Sequence, residues 1–172
     1  MLIRALTQED DRSRFRSGNI DLDRFFQRFA GQNQFRHHVG VTYVAVDGAS
    51  ILGFVTVAAS SIETSGLPVA QRRKLPAYPL PVLRLARLAV DQGAQGRGVG
   101  HALLRFAFTL AHQMEESFGC VGVVVDAKAE SVDFYAQFGF FPLDMEVGQL
   151  RDRPEPTAMF LELGAVPRPA KE

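Results

Sequence analysis

The chain contains no tryptophan and one cysteine, Cys120, in 172 residues. A single thiol cannot close an internal disulfide, and no zinc-type ligand set can be assembled around it at finger spacing. No apolar run approaches the roughly 20 residues that a membrane-spanning helix needs. Met1 leads straight into LIRALTQEDDR, which lacks the apolar stretch of a secretory signal. The expectation is a cytoplasmic protein with reduced thiol chemistry and no membrane partner. Net charge is also absent, since 19 Lys and Arg balance 19 Asp and Glu, which by itself argues against a strongly nucleic-acid-binding surface. The zero conceals a split. Residues 1–90 carry 12 basic and 7 acidic side chains, and residues 91–172 carry 7 and 12.

At 47% hydrophobic, the chain has the length and apolar content for one well-buried domain, read here as residues 1–166, with 167–172 as a fraying tail. Leu2–Leu6 reads as a short strand. Leu22, Phe25, Phe26 and Phe29 recur at helical spacing behind an N-cap Asn19, predicting a helix to about Phe35. Val41–Val46 and Ile51–Ala58, joined by Asp47-Gly48-Ala49-Ser50, form a hairpin pattern. Prolines 68, 76, 79 and 81 leave room only for a brief helix at Pro68–Arg73. A strand at Leu83–Val90 precedes a helix on which Val99, Ala102, Leu103, Phe106, Leu110 and Met114 make the apolar stripe and Arg105 and His112 fall off it. The buried-type run Val121–Val125, a short helix at Ser131–Phe138, and strands at Phe140–Leu143 and Ala158–Leu163 complete an α/β chain with a mixed sheet.

The densest signal is Leu88-Ala89-Val90, then Gln95-Gly96-Arg97-Gly98-Val99-Gly100, at the passage from strand to long helix. Glycine lets backbone approach a ligand closely, and the first N–H groups of a helix lack internal partners and sit at its positive end. Such a turn suits an anion, most plausibly a phosphate. It is not a P-loop, because Gly100 is followed by His101 and Ala102 rather than Lys and a hydroxyl residue. Nor is it a dinucleotide fingerprint, whose glycines are spaced differently. Gln95-x-x-Gly98-x-Gly100 after LARLAVD resembles the pyrophosphate motif of the GNAT acetyltransferase superfamily.

Phe134-Tyr135-x-x-x-Gly139-Phe140 resembles the GNAT segment that presents a tyrosine to the sulfur of CoA. Phe15 to Phe26, Ala30-Gly31-Gln32-Asn33, Leu67-Pro68, Arg72-Arg73-Lys74-Leu75-Pro76 and Leu85 to Asp91 resemble the toxin-type GNAT subfamily that acetylates aminoacyl-tRNA, with Ser17 where cysteine or a similar small residue is usual. The resemblance implies a GNAT fold: one mixed six- to seven-stranded sheet with about four helices, splayed between its fourth and fifth strands. It implies acetyl-CoA as co-substrate without a metal, pantetheine pairing along Leu88, Ala89 and Val90, and pyrophosphate on the amides of Gln95, Gly96, Arg97, Gly98, Val99 and Gly100. Tyr135 is then the catalytic acid, and Arg72, Arg73, Lys74 and Arg87 are substrate contacts. Candidate partners are aminoacyl-tRNA, a ribbon-helix-helix antitoxin and a second copy in a homodimer.

Acetyl transfer requires a neutral amine and a proton for the departing thiolate. A tyrosine phenol, with a reference pKa near 10, is protonated at neutral pH and can supply that proton. Glu63, Asp91 and Asp126 are open as general bases, and the resemblance implies that no dedicated base is required. His37 and His38 are adjacent and point apart on helix or strand, which excludes a shared metal. Cys120 reads as a small core residue. Competing functions are acetylation of a small amine or a protein N-terminus, and acyl-CoA binding without turnover.

Overall fold

The computed structural model describes residues 1–143 and 156–169; of the expected tail, residues 170–172 lie outside the described residues. Seven strands form one mixed sheet in the order β1-β2-β3-β4-β5-β7-β6. They are β1 (Leu2–Ala5), β2 (Val41–Asp47), β3 (Ser50–Ile62), β4 (Leu80–Val90), β5 (Gly122–Ala127), β6 (Phe141–Pro142) and β7 (Thr157–Glu162). The helices are α1 (Ile20–Arg24), α2 (Val69–Arg72), α3 (Val99–Phe118) and α4 (Val132–Ala136). The chain divides into two compact units, Met1–Ala58 with Leu85–Thr109, and Ala59–Arg84 with Leu110–Glu172. Among the described residues no helix is long and apolar enough to cross a membrane.

In the first unit, β1 and β2 pair antiparallel from Leu2↔Val46 to Ala5↔Tyr43, and β2 and β3 form the expected hairpin, closed by the pair Asp47↔Ser50. Asn19 caps α1 as expected, its side chain accepting from the Leu22 N–H. Beyond Arg24 the helix widens into π-type turns over Phe25–Phe29 and Gln32–Arg36. This corrects the expected stripe. A wide turn brings residue i+5 rather than i+4 back to the same face, so Ala30 is buried at 1% exposure while Phe29 is 40% exposed. Arg12, half-buried, donates to the Phe26 carbonyl at 2.9 Å within the widened segment. Phe26 stacks on Phe54 with ring centroids 4.3 Å apart, and Phe15 meets both rings edge-on. Burial of each such ring contributes about 2–3 kcal/mol.

In the second unit, β5 and β7 pair antiparallel from Gly122↔Glu162 to Ala127↔Thr157, and β6 adds through Phe141↔Phe160. Leu67, Leu80, Val82, Val124, Leu143 and Phe160 form its core, with Leu75 packed against it. The short proline-bracketed helix appears as α2, entered through Pro68.

The long helix α3 ends at Gly119 as its sequence indicates. Its buried face is displaced from the expected stripe. Leu103, Leu104, Ala107, Phe108, Ala111 and Met114 are buried, whereas Ala102, Phe106 and Leu110 are only partly covered. His112 lies on this face at 5% exposure, its Nε2 3.1 Å from the Val166 carbonyl. A histidine counted as polar falls off an apolar stripe on paper, but its ring is flat enough to pack once one nitrogen finds a carbonyl.

Candidate functional site

The glycine turn is built by the residue that precedes it. Asp91, leaving β4, donates its N–H to Leu52 at 2.8 Å, and its carboxylate accepts from the N–H of Gly93 at 2.9 Å and of Arg16 at 3.0 Å. The Gln92 N–H donates to the Arg16 carbonyl at 2.8 Å. Gln95 Nε2 donates to the carbonyls of Val90 at 3.1 Å and Ser17 at 2.9 Å. The side chains of Asp91 and Gln95 therefore bind the Arg16–Ser17 segment to the turn. The Nε2 of Gln95 is thereby committed to structural bonds.

Gly96 and Gly98 take φ of 77° and 79°, flanking the exposed Arg97. A Cβ at either glycine would meet nothing within 4 Å, so this backbone faces open space. Beneath it Val99 is buried at 3% and anchors the start of α3. The Ala102 N–H donates to the Gly98 carbonyl at 3.1 Å, so the N–H groups of Val99 and Gly100 precede the helical ladder. Left-handed residues alternate along the chain here at the positive end of a helix of 20 residues, where backbone N–H groups without helical partners suit an anion. A pyrophosphate fits this donor set.

The strand leading into the turn is graded in burial: Ala89 is 5% exposed, and Leu88 and Val90 are partly covered. Arg87 is half-buried, its guanidinium carbon 3.7 Å above the centre of the Phe25 ring. That cation–π contact, about 1–2 kcal/mol at a partly desolvated site, fixes the guanidinium against α1's neighbour.

In the second unit Tyr135 sits on α4 at 5% exposure, with ring centroids 5.1 Å from Phe134 and 5.5 Å from Phe140. Burial pushes its phenol well above the ordinary tyrosine value, so the proton is held firmly. Arg72, Arg73 and Lys74 are exposed at the end of α2, between the buried Leu67 and the partly buried Leu75. Asp126 is ion-paired with Arg84, and Glu63 is exposed before a short 3₁₀ turn. Of the three carboxylates considered as bases, Asp91 and Asp126 are thus engaged in structural bonds. Burial raises the pKa of the Cys120 thiol, as a core role requires. Among the described residues no group of three or more His, Cys, Asp or Glu could hold a metal.

One grouping of side chains is not legible in the sequence. Arg16, Arg24 and Arg28 share a groove of the first unit, although by sequence they are only members of its basic half. The spacing of Arg24 and Arg28 was the available signal; the approach of Arg16 depends on the bonds of Asp91 and Gln92.

The sequence profile of the acetyltransferase (GNAT) domain matches residues 38–142. A protein of Mycobacterium tuberculosis named tRNA-acetylating toxin is 35% identical over 138 residues, covering 80% of this chain and 82% of the relative. A probable toxin TacT of Sinorhizobium fredii is 27% identical over 144 residues, covering 77% and 79%. Among solved structures, AtaT complexed with acetyl-methionyl-tRNAfMet superposes with a TM-score of 0.81 at 26% identity, covering 96% of both chains. AtaTR bound with AcCoA superposes with a TM-score of 0.76 at 27% identity, covering 96% of this chain and 95% of the other.

Proposed function

Because the chain belongs to the GNAT acetyltransferase family, we propose that it transfers an acetyl group from acetyl-CoA to the α-amino group of aminoacyl-tRNA, as the toxin of a pair held in check by an antitoxin. Residues 1–166 constitute its catalytic domain. The observation that carries the reading is the 35% identity to a tRNA-acetylating toxin, which extends over 138 residues and well beyond the glycine turn. The structures of AtaT with acetyl-methionyl-tRNA and of AtaTR with AcCoA support the same acceptor and donor.

The residues divide the work. The amides of Gln95 to Gly100 hold the pyrophosphate, because Gly96 and Gly98 are left-handed and open to close approach, and the chain here enters a helix whose first N–H groups lack internal partners. Leu88, Ala89 and Val90 supply strand backbone to the amide-bearing pantetheine arm. Acetyl-CoA supplies an activated thioester. Tyr135 keeps its phenolic proton because the ring is buried, and donates it to the departing thiolate. No carboxylate need serve as base, since the α-amino group of an aminoacyl ester is weakly basic and reaches the site neutral. Arg72, Arg73, Lys74 and Arg87 supply positive charge toward RNA. A competition assay tests the acceptor: labelled acetyl-CoA is offered together with aminoacyl-tRNA, free amines and a peptide N-terminus. Label should enter the RNA fraction, and label confined to peptide or amine would contradict the proposal.

A further inference from the structure

Part of the positive charge of the first unit meets in one place. Arg16, Arg24 and Arg28 line one groove of about 500 Å³ together with Ile20 and Gln27. All three arginines are exposed, and none enters the ion pairs found among the described residues. The one acidic residue on the groove wall, Asp23, is 8% exposed, and its Oδ1 accepts from the Ser17 N–H at 2.9 Å and hydroxyl at 2.6 Å. It is turned to an internal task and stands against three guanidinium groups. Ile20, 82% exposed, adds an apolar wall against which a sugar or base can rest.

The groove is also fixed to the glycine turn. Arg16 holds its guanidinium through donations to the carbonyls of Ser13 at 2.9 Å and Phe15 at 2.8 Å. Its backbone N–H and carbonyl are the partners of Asp91 and Gln92, at 3.0 and 2.8 Å. One backbone segment therefore carries both an arginine of the groove and the contacts that shape the turn.

From this placement we infer that the groove cradles the phosphate backbone of the tRNA substrate; the inference deepens the acceptor reading above and rests on it. Its three guanidinium groups and apolar wall match a sugar–phosphate chain better than a single anion. RNA held here lies beside the turn assigned to the donor's pyrophosphate, so acceptor and donor are gathered by the same unit.

The test uses the full chain and its Arg24→Glu/Arg28→Glu double variant, with Arg24→Gln/Arg28→Gln as a milder second form. The probe is bulk tRNA labelled at its 5′ end, titrated by anisotropy across a salt series. Losing two phosphate contacts should reduce the log–log salt slope by about 1.4–1.8 and weaken binding about 10- to 30-fold at 0.15 M salt. Acetyl-CoA affinity should be unchanged in both variants. Wild-type affinity and slope in the variants would overturn the inference while leaving the acceptor reading intact, provided the wild-type protein still acetylates aminoacyl-tRNA. Loss of acetyl-CoA affinity would reassign the groove to a donor phosphate. Loss only of antitoxin binding, with tRNA binding preserved, would reassign it to a protein partner; either outcome overturns the inference. A wild-type protein that neither binds nor acetylates tRNA would overturn the acceptor reading itself.

Discussion

Tyr135 and Asp10 show how single environments set proton affinity in opposite directions. Burial among Phe134 and Phe140 keeps the Tyr135 phenol neutral beyond its ordinary range. If it is the general acid, Tyr135→Phe should retain acetyl-CoA affinity and slow turnover about 10²- to 10⁴-fold, measured by single-turnover kinetics and calorimetric titration. A rate within about threefold of wild type would assign the ring to packing. The wild-type profile should also show no loss of this acid up to about pH 10, because the folded value lies above the reference. Asp10 shows the converse. Its carboxylate receives both Arg4 nitrogens, at 2.7 and 2.8 Å, and the Thr7 N–H at 2.8 Å, which lower its pKa to about 2. A depressed carboxylate stabilises the fold above its unfolded pKa near 4 and loses that contribution as pH falls toward 2. Since Arg4 is partly exposed, Asp10→Asn should cost only about 1 kcal/mol at neutral pH in urea unfolding, with the difference from wild type vanishing near pH 2. A difference that persists undiminished in acid would contradict this.

Elements were legible where pattern and turn chemistry agree. The Asn19 cap, the hairpin around Gly48, the stop at Gly119 and the continuous apolar run of β5 all follow from local rules. What escaped the sequence depended on changes of geometry or distant partners. Phe29 falls on the stripe of Leu22, Phe25 and Phe26 at α-helical spacing, and the π-type turns carry it outward. His112 falls off the apolar stripe in the sequence because its partner, the Val166 carbonyl, is 54 residues away. The glycine turn was recognisable as an anion loop, but the roles of Asp91 and Gln95 in bonding Arg16 and Ser17 were not. The turn yields its own prediction. Gly98→Val should remove measurable acetyl-CoA affinity, because it adds bulk on the open side and places a β-branched residue at φ 79°. Gly48→Val supplies a control for strain, having φ 58° and equally open surroundings but no place in the site. Both variants should lose about 1–2 kcal/mol of stability, and only the first should lose binding. Equal acetyl-CoA affinity in the two variants would contradict the assignment.

At the scale of the whole molecule, composition was least informative where the proposed function is most specific. A net charge of zero argued against a nucleic-acid partner, whereas the uneven division between residues 1–90 and 91–172 pointed toward one. The structure resolves part of that division into the groove of Arg16, Arg24 and Arg28, and leaves Arg72, Arg73 and Lys74 exposed on α2's end. An enzyme acting on a small neutral amine has no use for such surfaces, so their energetic role separates the two acceptors. Acetylation of aminoacyl-tRNA should fall with added salt, with a log–log slope of about −0.7 to −0.9 for each phosphate neutralised. The most direct measurement of the central claim is incubation of the protein with radiolabelled acetyl-CoA and total aminoacyl-tRNA, followed by nuclease digestion and mass analysis of the released aminoacyl-adenosine. Label on the α-amino group of the aminoacyl ester is the predicted result. RNA that stays unlabelled, while a small amine or protein N-terminus is readily acetylated in the same mixture, would contradict it and leave only the general acetyltransferase assignment.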